Sequence, residues 1–321
     1  MKSTKKLLII AVCLCYSLSL AAQVTFKGKS DINDEELKTF KNTITLFTLQ
    51  YKDYTELENF NEAIKTTWTV TPFLIIKPEE LGKYIGKPGY SLFTFNGYIQ
   101  SSGNTTVIRF FYSLTMPYFK KNGKQGDDIN LGDITVYPDN KTLFAAIGNP
   151  FSFKGAKKRE EEMISFLYNN ALLYNWSPGM LKGYLKQLNE GIISRKERKM
   201  FFEMEDKTKL TSLAKDTLYV PDYVKIKFNM FTMSEKVDED KDQDLSEAYN
   251  YPVKFVPVKT LNELILKKGS NVNYLVFTKS SSDKFISIYN SYSSEMLYQN
   301  YTPISFNFKN SDLTKIRRLI K

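Results

Sequence analysis

Asp238, Asp240, Asp242 and Asp244 alternate through Val237-Asp-Glu-Asp-Lys-Asp-Gln-Asp244. Alternate acids resemble the opening of a calcium loop, which draws hard oxygen ligands from every second position. The glycine that lets such a loop turn is missing, because Leu245 follows Asp244. The competing reading is a solvated loop whose last acids favour the N-terminus of the next helix. A second pattern is Ser212-Leu-Ala-Lys215, an S-x-x-K, with Tyr168-Asn-Asn170 as a Y-x-N. Penicillin-recognising enzymes add K-T-G after a strand. Here Lys141-Thr142 runs into Leu143 and Lys259-Thr260 into Leu261, so the set is incomplete and reads as helix surface. Gly82, Gly86 and Gly89 match neither a dinucleotide fingerprint nor a P-loop. With Pro88 they read as a turn.

The absences restrict chemistry further. Histidine is missing throughout, and Cys13 and Cys15 are the only cysteines. A Ser-His-Asp triad, an H-E-x-x-H zinc site and an imidazole base are therefore excluded. Carboxylate pairs for glycoside hydrolysis stay open, because their members meet only in the fold. No catalytic, metal or cofactor residue is assigned beyond the four aspartates, and no cofactor is expected.

Both cysteines lie in a leader. Lys2, Lys5 and Lys6 precede the uncharged apolar run Leu7–Ala22, and Gln23 opens a polar chain. A basic start, an apolar centre and a small-residue end make a secretory signal peptide, cut between Ala22 and Gln23. The alternatives are a retained anchor, too short at 7–22 to span a bilayer of about 20 residues, and a lipoprotein with lipid on Cys13 or Cys15. After the cut no cysteine remains. Three lysines and no acids are lost, so the net charge falls from +10 to +7.

The chain of 321 residues has room for about two domains. Leu57, Phe60, Ile64 and Trp68 form one buried helix stripe, which makes Trp68 core. Strands are expected over 44–51, 69–77, 90–99 and 107–114, with short helices over 34–40 and 78–85. Pro138-Asp139-Asn140 reads as the turn of a hairpin joining Ile134–Tyr137 to Thr142–Ile147. A helical centre follows. Met163, Phe166, Leu167 and Ala171 mark one helix; Ser177-Pro178 caps the next, whose stripe is Leu181, Tyr184, Leu185, Leu188 and Ile192. A short helix over 207–214 leads to a strand at Leu218. Lys284–Tyr289 and Ile304–Phe308 are read as the last strands, before a helix capped at Ser311 or Asp312.

The most informative internal signal is a repeat. Val70–Thr94 aligns with Val253–Thr278 if one residue is inserted, pairing Val70 with Val253, Gly86 with Gly269, Tyr90 with Tyr274 and Phe93 with Phe277. Each copy reads as strands alternating with helices, which favours a mixed sheet with helices packed on it. The expected fold is α/β, with α+β as the alternative. Its expected parts are a signal peptide (1–22), a first α/β unit (23–153), a helical connector (154–209) and a second unit (210–321).

A charge of +7 is moderate. Its sharpest runs are Lys154–Arg159 and Arg195–Lys199, read as solvated ends or as a weak anionic-surface contact. Nucleic acid is not an expected partner, since the chain is exported and no reader motif is present. Most of the 21 Tyr and 23 Phe fall at core positions of strands and helix stripes; Trp176, beside the Ser177-Pro178 cap, is left open. Asp216-Thr217-Leu218 resembles the acidic-hydroxyl-aliphatic acceptor for O-linked glycans, which makes Thr217 a glycosylation candidate; the repeat instead puts it at a strand start.

The signal ending Leu20-Ala-Ala-Gln23, the Lys/Asn/Tyr/Phe bias and the block Ala63-Ile-Lys-Thr-Thr-Trp68 through Tyr90-Ser-Leu-Phe-Thr94 are similar to exported proteins of Bacteroidetes-type bacteria. The resemblance covers about 60 residues per unit. It implies the periplasm or outer envelope of a Gram-negative cell. The order of elements resembles the N-terminal domain of TolB-type periplasmic proteins, which implies an α/β sandwich and protein partners. No catalytic motif matches, so no functional residue carries over. The expectation is a noncatalytic exported envelope protein that binds a protein or glycan. The alternatives are a carboxylate-dependent hydrolase of envelope glycans and a small-ligand carrier with an apolar pocket between the units.

Overall fold

The structure is a computed structural model that describes residues 23–102, 105–120, 122–148, 156–199, 202–229 and 231–320. The signal segment with Cys13, Cys15 and Ala22 lies outside the described residues, as do the side chains of the Lys154–Arg159 run.

Two mixed six-stranded sheets carry the helices. The first is built from β1 (Val24–Phe26), α1 (Asp34–Lys41), β2 (Ile44–Thr48), α2 (Leu57–Thr67), β3 (Phe73–Ile76), β4 (Tyr90–Ser102), β5 (Thr105–Met116) and β6 (Ile129–Val136). A linking segment holds α3 (Asn140–Gly148), α4 (Ala156–Asn170) and α5 (Pro178–Ser194). The second sheet uses β7 (Met204–Glu205), α6 (Lys207–Leu210), β8 (Leu218–Pro221), the pair β9 (Ile226–Asn229) and β10 (Ser234–Val237), and α7 (Lys241–Tyr249). It is completed by β11 (Val253–Val256), α8 (Val258–Leu266), β12 (Asn273–Ser280), β13 (Asp283–Asn290) and β14 (Met296–Thr302), and α9 (Asn310–Leu319) ends the chain.

The strand orders are β3-β2-β4-β5-β6-β1 and β11-β8-β12-β13-β14-β7. They are the same order, with parallel pairs at one edge and antiparallel meanders at the other. The ladders also correct the register of the repeat. Thr45 N donates to Pro72 O and Leu218 N to Pro252 O, both at 2.9 Å. Phe73 therefore corresponds to Val253, and the match of Val70 to Val253 is three residues off. Thr45 pairs with Ser91 and Leu218 with Asn273, so the match of Tyr90 to Tyr274 is two residues off. Aromatic-rich strands with period two produce identities at several registers, and only the backbone ladder chooses among them. The glycine match keeps its physical meaning, since Gly86 and Gly269 both turn through left-handed φ, at 69° and 74°.

Two expected strands are replaced. Over 142–147 the chain is helix α3, not the second arm of a hairpin. Asp139 Oδ1 accepts from Thr142 N at 2.9 Å, so Asp139 caps a helix rather than turning a hairpin. β6 finds its continuation elsewhere, with Tyr174 N donating to Tyr137 O at 2.8 Å. Likewise Ile304–Phe308 is irregular and the final strand is β14. Asn290 Oδ1 accepts from Tyr292 N and Ser293 N, which returns the chain at once and pairs Tyr289 with Met296. The last helix also starts earlier than expected, at Asn310, with Asp312 accepting from Lys309 N at 2.7 Å.

One hydrophobic cluster runs through both sheets. Helix α5 is its joint and packs on α2 and β1 on one side and α8 on the other. Ser177 Oγ accepts from Met180 N, so the cap holds as expected. Gly183 is required by this packing: a Cβ there would stand 2.7 Å from the ring of Tyr289. Trp68 is core, 4% exposed, donating to Thr71 Oγ1 at 2.9 Å. Trp176 is also buried, stacked on Tyr112 at 4.1 Å and 5°.

Candidate functional site

Where the sheets meet, a cavity of about 30 Å³ opens beside the end of β12. The first sheet and α3 contribute Ile108, Phe110, Val136, Pro138 and Leu143 to its wall. Phe228, Lys279, Ser280 and Ser281 close it from the second. Its volume is that of two or three waters.

Lys279 is the unusual residue. Every position of β12 is buried, so the lysine near its end is largely withdrawn from water. Its side chain is 6% exposed, and Nζ has no hydrogen-bond partner among the described residues. Nζ lies 3.6 Å from the ring centroid of Phe228 and 5.1 Å from that of Tyr137. Glu235 Oε1 stands 3.7 Å away, an ion-pair distance but too long for a hydrogen bond. Burial pulls the lysine down to about 8, against the opposing pull of Glu235.

The β9–β10 hairpin assembles this environment. Phe228 and Glu235 are direct cross-strand partners, so both side chains leave the same face. Glu235 Oε2 accepts from Tyr174 Oη and Asn140 N, each at 3.2 Å. Asn140 Nδ2 also donates to Met233 O at 2.7 Å, clasping the hairpin to the start of α3. The corresponding stretch of the first unit, Tyr51–Glu56, is a single 3₁₀ turn. The ladder equivalence sets Lys279 opposite Gly97, so lysine and hairpin belong to the second unit alone.

Beside the cavity, Arg109 Nη2 contacts Asp283 Oδ2 at 3.3 Å across the two sheets, and Tyr301 Oη donates to Asp283 Oδ1 at 3.0 Å. Burial raises Asp283 above the ordinary carboxylate range, against Tyr301 and Arg109. Asp53 is raised to about 6, again by burial, although Trp176 Nε1 donates to it at 3.0 Å. Asp133, raised by burial too, accepts from Ser113 and Asn130. These carboxylates occupy three separate hydrogen-bond sets.

The residues singled out from sequence fall elsewhere. Asp238 pairs with Lys227 at 2.5 Å and Asp242 with Lys225 at 3.2 Å, while Asp240 precedes α7 and Asp244 lies in its first turn. Among the described residues no group of three or more acids is arranged to hold a metal ion. Ser212 and Lys215 are exposed around the turn Thr211–Ala214. Tyr168 is core, its hydroxyl accepting from Phe95 N at 2.8 Å. Thr217 is half-buried directly before β8. Gln23 is fully buried, donating to Tyr184 Oη at 2.9 Å and accepting from Tyr289 Oη at 3.2 Å. In the second basic run, Arg195 pairs with Asp34 and Arg198 lies over the rings of Phe26 and Phe202. That run is therefore partly consumed within the fold rather than simply solvated.

Lys279, Glu235 and Phe228 carry no motif. Their one local signal is a lysine that continues the apolar run Tyr274–Phe277 at strand spacing, with its burial decided by a distant hairpin. Among the described residues no helix is long and apolar enough to cross a membrane. No family model matches the chain, and no match is found among curated proteins or solved structures.

Proposed function

We propose that this chain is a noncatalytic exported envelope protein of a Gram-negative bacterium that binds a partner protein through the tip of the β9–β10 hairpin. The observation that carries this reading is Phe231, which stands 89% exposed at that tip. Hydrogen bonds among the described tip residues support this presentation. Asn229 Oδ1 accepts from Phe231 N at 2.9 Å and Thr232 N at 3.2 Å, and the Thr232 and Ser234 hydroxyls meet at 2.7 Å. An aromatic presented on a preformed turn suits a protein interface, because little ordering entropy remains to be lost.

A segment packed at the hairpin base also exposes an apolar side chain. Ile304 is 74% exposed and sits at φ 50°, a strained conformation for a β-branched residue. It is held there by Ser305 N donating to Ser282 O at 3.0 Å, and Phe306 packs on Phe228 at the hairpin base. Such strain persists only where surrounding structure imposes it, and it concentrates at functional surfaces.

The test is capture from the native envelope with a C-terminal tag, comparing the unaltered chain with Phe231→Ser. An aromatic anchor contributes about 2 kcal/mol or more, so the variant should lose a stoichiometric protein partner by about thirtyfold. Equal recovery of that partner by both chains would overturn the reading.

A further inference from the structure

We infer that Lys279 and the cavity it lines form a site for a small aldehyde, held as an imine on Nζ. Nothing in the partner-binding reading requires this site. Lys279 Nζ at the cavity and Glu235 Oε1, 3.7 Å from it, both lack hydrogen-bond partners among the described residues. Ser280, whose Oγ is likewise unpartnered, and Ser281 also line the cavity, and the remaining wall is apolar. A small anion is disfavoured, because the Glu235 carboxylate already stands 3.7 Å from Nζ. A neutral carbonyl suits both groups, and the volume admits a molecule of two or three heavy atoms.

The step balances without a redox partner. The Nζ lone pair forms a bond to the carbonyl carbon while the carbonyl π pair moves to oxygen. Glu235 Oε1 takes a proton from nitrogen and passes it to the oxygen, which becomes a hydroxyl. The nitrogen lone pair then forms the second C–N bond as the C–O bond breaks, and Glu235 carries the second nitrogen proton to the departing hydroxyl, which leaves as water and a neutral imine remains. The cation formed on protonation of the imine would face the rings of Phe228 and Tyr137, a placement that stabilises positive charge. Glu235 on β10, with Tyr137 after β6 and Tyr174 from the linking segment, are the titratable groups that face or brace the amine.

Desolvation is a recognised way to activate an amine nucleophile. With the lysine drawn down to about 8, roughly a quarter is free amine at pH 7.5, against about a thousandth for an ordinary lysine. Allowing about one order of magnitude for the lower nucleophilicity of a weaker base leaves about a twentyfold advantage.

The full folded chain is treated with acetaldehyde and cyanoborohydride at pH 7.5, and alkylation is read at each lysine by peptide mass spectrometry. Lys279 should be alkylated about twenty times faster than exposed Lys83, Lys199 and Lys215. In urea, where the cavity is lost, that preference should vanish. A lysine buried for structural reasons alone would be protected. Alkylation of Lys279 at or below the rate of the three exposed lysines, or a preference that survives unfolding, overturns the assignment.

Discussion

Replacing Lys279 by Met should change how stability depends on pH, by an amount that follows from burial. The folded lysine titrates near 8 and the unfolded one near 10.5. Below pH 8 both states hold the proton, and the folded state carries the whole cost of a desolvated ammonium. Between 8 and 10.5 the unfolded chain binds more protons than the folded one, so stability rises with pH. A shift of 2.5 units at 1.36 kcal/mol each corresponds to about 3 kcal/mol. Lys279→Met keeps the stem length and removes the proton. It also leaves Glu235 without its cation. The pH-dependent part contributed by the lysine is separable from packing, which does not vary with pH. The assay is urea unfolding of both chains at intervals from pH 7 to 10.5, read as the difference between them. Taking that difference cancels Lys241, which burial also holds near 8, and the buried tyrosines. The stability of the unaltered chain relative to the variant should climb by about 3 kcal/mol across the range. A difference constant to within about 0.5 kcal/mol would refute the argument that this lysine is folded away from water.

Asp53 gives the opposite sign. Its folded value near 6 exceeds the ordinary 3.8, so the folded state binds more protons between those limits and stability falls as pH rises through them. Asp53→Asn should remove a decline of about 3 kcal/mol in urea unfolding from pH 3.5 to 7; parallel curves would contradict this. Gly183→Ala brings a methyl to 2.7 Å from the Tyr289 ring and should lower stability by about 1–3 kcal/mol, whereas Gly82→Ala, with nothing within 4 Å, should be neutral in the same measurement. Asp312→Ala leaves the Lys284 ammonium, bound at 2.7 Å and 2% exposed, buried without its carboxylate. The expected loss is about 3–5 kcal/mol, and Lys284→Met combined with Asp312→Leu should recover most of it; a single variant as stable as the parent would show that the pair is solvated.

Much of the architecture was legible because it depends on local chemistry. The spacing of Phe60 and Ile64 marked a buried helix face, and α2 runs Leu57–Thr67 with Trp68 buried just past its end, whereas Leu57, expected on the same buried stripe, is exposed at the first turn. Ser177-Pro178 met both requirements of a helix start, and α5 begins at Pro178. Element order carried the α/β class and the likeness of the two units. Asp139 shows where local reading fails. The same Pro-Asp-Asn serves a hairpin turn or a helix cap, and the choice went to the helix because residues 172–174 occupy the edge that the second arm needed. Register failed for a related reason. Alternating Phe and Tyr satisfy several strand alignments equally, whereas the hydrogen-bond ladder admits one.

What the sequence determined by itself is therefore the α/β class with many of its elements, the chemistry excluded by the lack of histidine, and the core roles of residues such as Trp68. The tertiary structure alone decided the site. Lys279, Glu235 and Phe228 span more than fifty residues, and no local spacing relates them. Lys279 is an ordinary lysine until β12 is covered on one side by the first sheet and on the other by a hairpin that the first unit lacks. Burial of a charge is a property of everything packed around it, so the depressed lysine and its ion-pair contact exist only once distant segments have met.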